Sequence, residues 1–219
     1  METLRSAPLV PSRPLPISVH RIPFLLEPTY SPDVPSVCTN RARLLEKWGG
    51  AAGWERQKRA HGLKQRAASA GIERPFDLDR LAANTVASHR LVQHAAKRFG
   101  WEASERLYDA LNVYHFHDGR SLNDGAGLAE VAGRALPELP AAAAAAFLES
   151  GEGTEEIVRA LARVSELGIN SIPQFVIDGE IIIGGAAHHG QLEAVFREIE
   201  ERGEVEKDTT TMFGDIFNY

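Results

Sequence analysis

An α/β fold whose strands bracket a long helical block is the architecture this sequence predicts, and three stretches predict it. Pro16 to Leu26 (PISVHRIPFLL) gathers β-branched and apolar residues between prolines, the composition of a strand. From about Asn40 to Leu167 apolar residues recur at helical spacing. Gln174 to Ile177 (QFVI), the Asp178-Gly179 pair and Ile181 to Ile183 (III) read as a β-hairpin, because Asp-Gly tolerates the positive φ angles of a tight turn. Separated strands with helices between them point to an α/β core carrying an inserted helical subdomain.

Residues 1–16 hold four prolines and no sustained period, which predicts an extended lead-in. In the strand that follows, Pro23 has no N–H to give a ladder and belongs at an end or an edge. EPTYSPDVPS is a loop with three prolines. Asn40 is placed to cap RARLLEKW, and Trp54 to Ala70 reads as one basic helix stopped by Gly71. Leu78 to Leu81 makes at most a short turn. Thr85 to Phe99 puts Val86, Leu91, Val92, Ala95 and Phe99 on one face, and Gly100 ends it. Ser104 to Phe116 repeats the device with Leu107, Leu111 and Tyr114, and Asp124 to Ala135 gives a shorter helix.

Leu139 to Ser150 contains six consecutive alanines, which predicts either a helix of high intrinsic propensity or a loosely packed insert. Thr154 begins the last helix of the block, which ends at Gly168. Past the hairpin, Leu192, Val195, Phe196 and Ile199 mark a final amphipathic helix, and an acidic, threonine-rich tail follows Gly203.

The chain has 219 residues, 43% hydrophobic and 25% charged, an ordinary globular composition that supports a core without disulfides or metal. With 24 basic and 30 acidic residues the net charge is −6, which argues against nucleic acid or an anionic membrane as a partner. One cysteine, Cys38, excludes an internal disulfide, a CxxC pair and a multi-cysteine zinc site. No apolar run approaches the roughly 20 residues of a membrane span. The N-terminus lacks a basic start followed by an apolar stretch, so the expected location is cytoplasmic.

GINSIPQFVIDGEIIIGGAAHHGQLEAVFREI, Gly168 to Ile199, resembles the C-terminal half of the thioredoxin fold, in which the residue matching Pro173 is cis and faces the active site. HRIPFLLEPTY (His20 to Tyr30) is similar to that fold's second strand. NTVASHRLVQHAAKRFG (Asn84 to Gly100) and RLYDALNVYHFHDGRSLND (Arg106 to Asp124) resemble the inserted helices of the DsbA-like family. Within that family the chain is most similar to the FrnE-like branch, near the 2-hydroxychromene-2-carboxylate isomerases and kappa-class glutathione transferases. The resemblance implies a thioredoxin-like fold with a large inserted helical subdomain. It divides the chain into a lead-in (1–16), a thioredoxin-like core (17–38 and 168–202), the helical insert (39–167) and a flexible tail (203–219).

The departure from the family is specific. Its redox members open with a strand running into a CxxC at the first helix, where the leading cysteine becomes a low-pKa thiolate. Residues 1–16 contain no cysteine and are too short for that strand, motif and helix. The expected fold therefore lacks the family's first strand and first helix, with a neighbouring chain or the lead-in filling the slot, or the chain is truncated.

No residue here inherits the family's catalytic cysteine. Cys38 is the one thiol, just ahead of a helix start that would lower its pKa, yet no family motif falls on it. Ile172, Pro173 and Gln174 are the candidate binding residues, because the resemblance implies that this loop's backbone pairs with a peptide or glutathione. Asn84 and Asp124 read as helix caps. His188 and His189 are adjacent and point apart on a helix, His115 and His117 lack accompanying ligands, and His89 and His94 miss the i, i+4 spacing, so no metal site is expected. The basic run Glu55 to Ala67 reads as a solvated helix face, and Gly184-Gly185 lacks a dinucleotide fingerprint.

The function implied is that of a protein-disulfide oxidoreductase family member, inactive or partner-dependent in thiol-disulfide exchange because CxxC is absent. The alternatives are a glutathione-dependent isomerase or transferase, with glutathione as co-substrate, and a non-catalytic peptide-binding module. No bound cofactor is implied, and the oligomeric state is left open.

Overall fold

The computed structural model describes residues 8, 15, 17–72, 79–179 and 181–203. The rest of the expected lead-in and the tail beyond Gly203 lie outside the described residues. Two compact units divide the chain, Leu25–Ile157 and Met1–Phe24 with Val158–Tyr219. The sequence reading drew its divisions after residues 38 and 167.

In the first unit, β1 (Cys38–Thr39) pairs antiparallel with β2 (Leu81–Ala82), Cys38 opposite Ala82 and Thr39 opposite Leu81. Helix α1 (Asn40–Lys47) is capped by Thr39, whose Oγ1 accepts from the Ala42 amide at 3.2 Å. The cap thus sits one residue before the expected Asn40, whose Oδ1 accepts from the Arg43 guanidinium instead. The single basic helix expected over Trp54 to Ala70 is two helices, α2 (Ala51–His61) and α3 (Leu63–Ser69). Gly62 separates them in the left-handed region at φ +53°, a conformation that costs glycine nothing because it has no Cβ.

Four helices build the main core: α4 (Val86–Phe99), α5 (Trp101–Asn112), α6 (Gly125–Ala135) and α7 (Ala141–Ser150). Leu91, Leu107, Leu128 and Leu136 are fully buried among them. Helix α5 starts three residues earlier than expected and passes into a π-helical turn, Val113–His117. The alanine run is helical and packed, with Ala144 buried and Gly133 of α6 against it. A Cβ at Gly133 would lie 2.7 Å from the Ala141 nitrogen, so the close approach of these helices requires glycine there.

Asp124 caps α6 as expected, Oδ1 accepting from the Gly127 amide at 3.3 Å. Asn84 does part of the expected work. Its Oδ1 accepts from the Val86 amide at the start of α4, and its Nδ2 donates to the Tyr30 carbonyl at 2.7 Å. It therefore ties the helix start to the proline-rich loop.

In the second unit the expected strand over Pro16 to Leu26 is not a strand: residues 17–24 are irregular, and neither sheet includes them. Pro23, buried, offers no N–H for a ladder, and the segment contributes packing instead. Ile22 and Phe24 pack on Ala160 and Val164 of α8 (Thr154–Glu166), the helix that crosses the division between units. The hairpin forms as predicted, β3 (Gln174–Ile177) antiparallel to β4 (Ile181–Gly184), with Phe175 opposite Ile183. Asp178 (φ +51°) and Gly179 (φ +75°) supply its positive angles. Arg202 at the end of α9 (His189–Arg202) donates to the Asp178 carboxylate at 2.5 Å and holds the turn.

Candidate functional site

The chain enters the candidate loop from α8. Gly168 takes φ +70°, its amide donates to the Ser165 carbonyl, and the Ile169 amide donates to that of Val164 at 3.1 Å. This left-handed exit satisfies two of the last helical carbonyls and ends the helix. Asn170 and Ser171 are exposed, and Ile172 keeps 47% of its surface in solvent.

The Ile172–Pro173 peptide is cis. The Pro173 carbonyl accepts from the Gly185 amide at 2.9 Å, adding a rung beyond the Gln174–Gly184 pair. Ile172, Pro173 and Gln174 thus form one continuous surface at the head of β3, with Gln174 half-buried. On β4, Ile182 is 58% exposed. Such strands, apolar on both faces, resemble those of sheets covered on each side. Here Ile172 and Ile182 both keep apolar surface in solvent.

Cys38 lies in the other unit, half-buried at the start of β1. Its Sγ is 3.9 Å from the Tyr30 hydroxyl. Burial first, then the contact with Cys38, raises the Tyr30 pKa, against an opposing contribution from Arg43. Arg43 itself pairs with Glu27. Cys38 is thus set beside a neutral phenol.

His188 and His115 take structural positions. His188 caps α9, its Nδ1 accepting from the Gly190 amide while the Gln191 side chain accepts from the His188 amide. Histidine is outside the usual cap residues, which is why its role was illegible. His115 Nδ1 lies 2.8 Å from the Arg120 carbonyl; burial is the main cause that lowers its pKa. Among the described residues, no group of three His, Cys, Asp or Glu side chains is placed to hold a metal ion, and no helix is long and apolar enough to cross a membrane.

The sequence reading missed Arg90, a buried cation on α4. Nε donates to the Glu152 carbonyl (2.7 Å), Nη1 to that of Leu148 (3.2 Å) and Nη2 to that of Phe147 (3.1 Å). The only signal was an arginine within an apolar helical face, which composition alone does not separate from a solvated one.

The comparisons with known proteins agree with this geometry. No curated protein matches the sequence. Among solved structures, the chain is similar to a probable DsbA oxidoreductase from Streptomyces coelicolor, with 27% identity and a TM-score of 0.65 over 88% of this chain and 74% of that one. The helix-rich α/β architecture with its terminal hairpin is therefore a thioredoxin-like fold with a helical insertion. The family model of the DSBA-like thioredoxin domain matches residues 54–196, which take in most of the helical block, the Ile172–Gln174 loop and the hairpin. This chain belongs to the DSBA-like thioredoxin domain family.

Proposed function

We propose that this chain is a substrate-docking member of the disulfide oxidoreductase family that does not complete thiol-disulfide exchange by itself. The observation that carries the reading is the exposed Ile172–Pro173 pair, with half-buried Gln174 after it, at the head of β3. An extended peptide laid along it gains main-chain hydrogen bonds from the loop and apolar contact from Ile172.

Complete exchange needs two thiols. One thiolate forms an S–S bond with a substrate sulfur and expels the other sulfur as thiolate. A second thiolate then attacks the mixed disulfide and releases the first. The 219 residues carry Cys38 alone, so the second thiol has to come from outside them. A small thiol such as glutathione has the right chemistry. We place the chain in the FrnE-like branch, working in the cytoplasm without a bound cofactor. The Asn84-Thr85 helix start and the Asp118-Gly119-Arg120 turn support that placement.

Insulin reduction with dithiothreitol tests the first half: turbidity is expected to rise no faster than with dithiothreitol alone, and clear turnover overturns the claim. Amide NMR titration with an extended peptide tests the second. Shifts are expected at Ile172 and Gln174 and are expected to vanish in Ile172→Asp. Saturable glutathione binding with no peptide binding would favour the transferase-like alternative.

A further inference from the structure

Between α4 and α7, wholly within the helical unit, lies an open cavity of about 420 Å³. Small-molecule sites commonly fall in this size range. The alanine run accounts for it. Ala143 and Ala146 line the α7 side together with Phe147 and Ser150, and their methyl groups leave space that larger side chains would fill.

Helix α4 brings His94 and, one turn later, Arg98 to the same face. The imidazole lies 4.0 Å, centroid to centroid, from the Phe147 ring and meets Phe99 edge-on at 6.5 Å. Together the three rings make an aromatic wall. Burial is the main cause that lowers the His94 pKa, so the ring is neutral at pH 7 and keeps one N–H donor and one acceptor.

Among the described residues, neither the His94 nitrogens nor the Arg98 guanidinium has a hydrogen-bond or ion-pair partner. The rim carboxylate of Glu138 is already held by Arg106 at 2.6 Å. Arg98 is therefore a cation left available on an apolar, ring-lined groove. Glu152, the other rim carboxylate, disfavours a ligand with several negative charges.

We propose that this cavity binds a small planar aromatic monocarboxylate, its ring against Phe147, His94 and Phe99 and its carboxylate on Arg98. The ring gains edge contacts with these side chains and apolar burial, and the carboxylate gains a charge-assisted bond. The His94 N–H is a second donor to it.

Calorimetric titration of the full chain with 2-naphthoate, and with 2-naphthol as its uncharged counterpart, tests the assignment. Naphthoate is expected to bind at one saturable site, about fivefold or more tighter than naphthol, the scale of one partly exposed ion pair. Arg98→Gln is expected to erase that preference, and Ala146→Leu, at an exposed position that leaves the fold intact, to abolish binding by filling the groove. Absence of saturable naphthoate binding, naphthol binding as tightly as naphthoate, or affinity unchanged in both variants would each overturn it.

Discussion

Arg90 holds Phe147 twice: its guanidinium donates to the Phe147 carbonyl at 3.1 Å and lies 5.2 Å from the centroid of the same residue's ring. With the bonds to Leu148 and Glu152, one side chain satisfies three carbonyls at and beyond the C-terminus of α7. A positive charge there also complements the helix dipole. Burial lowers the Arg90 pKa without depriving it of its charge at neutral pH.

Replacing this side chain while keeping its bulk, Arg90→Met, removes all three bonds and leaves the Phe147 carbonyl with the Ser150 hydroxyl at 2.8 Å as its side-chain donor. The expected loss is about 2–4 kcal/mol of folding stability. Urea unfolding followed by circular dichroism measures it, and a loss below about 0.5 kcal/mol, the scale of an ordinary surface change, would contradict the role.

Gly127 faces the Tyr114 hydroxyl so closely that a Cβ would lie 1.9 Å from it. Gly127→Ala has to displace that hydroxyl from the Asp124 carboxylate, which it reaches at 3.3 Å, and is expected to cost about 1–3 kcal/mol. Gly125→Ala, two residues away with nothing within 4 Å, is the control and is expected to be neutral or slightly stabilising. Equal thermal midpoints for the two variants would remove the argument.

The Tyr114 hydroxyl has its pKa pushed up to about 12 by burial, with the neighbouring Asp124 charge and hydrogen bond adding to it. The folded protein therefore keeps this proton where the unfolded chain, titrating near 10, loses it. Its contribution to stability is complete below about pH 10 and is lost as pH rises toward 12. Ultraviolet titration of tyrosinate should show the latest-titrating tyrosine moving earlier in Asp124→Asn, while the raised Tyr30 stays where it is. A titration curve unchanged by that substitution would assign the shift elsewhere.

At the hairpin, Gly179 sits at φ +75°, where a Cβ is strained. Gly179→Ala is expected to cost about 1 kcal/mol. Because the hairpin follows directly on Ile172–Gln174, the same variant is expected to weaken peptide binding at that loop. NMR titration of variant and parent checks this, and identical affinities would separate turn from loop.

Much of the fold was legible because its signals are local. The Asp178-Gly179 turn, the Gly100 and Gly203 stops, the Asp124 cap and the helical stripes each depend on a few neighbouring residues. The expected strand over Pro16 to Leu26 failed because apolar, β-branched composition describes burial rather than pairing. Ile22 and Phe24 are used for packing on Ala160 and Val164. The expected single helix from Trp54 to Ala70 failed at Gly62, since a glycine inside a periodic stretch reads the same whether it is right- or left-handed.

The candidate site was legible to the same degree. Ile172, Pro173 and Gln174 are consecutive, so resemblance sufficed to nominate them, and the structure adds the exposure of Ile172 and the Gly185–Pro173 rung. The surroundings of Cys38 were not legible, because Tyr30 reaches it from a loop eight residues earlier.

By itself the sequence determined the order of helices and hairpin and the presence of one thiol, because periodicity, turn residues and a residue count are local or additive. Only the tertiary structure decided that Arg90 is a buried clamp rather than a surface charge. It also decided that Gly127 and Gly133 are places where a methyl group does not fit, and that six alanines leave a groove beside His94. Each of these depends on what two separated segments do to one another, and no stretch of sequence contains both sides of such a contact.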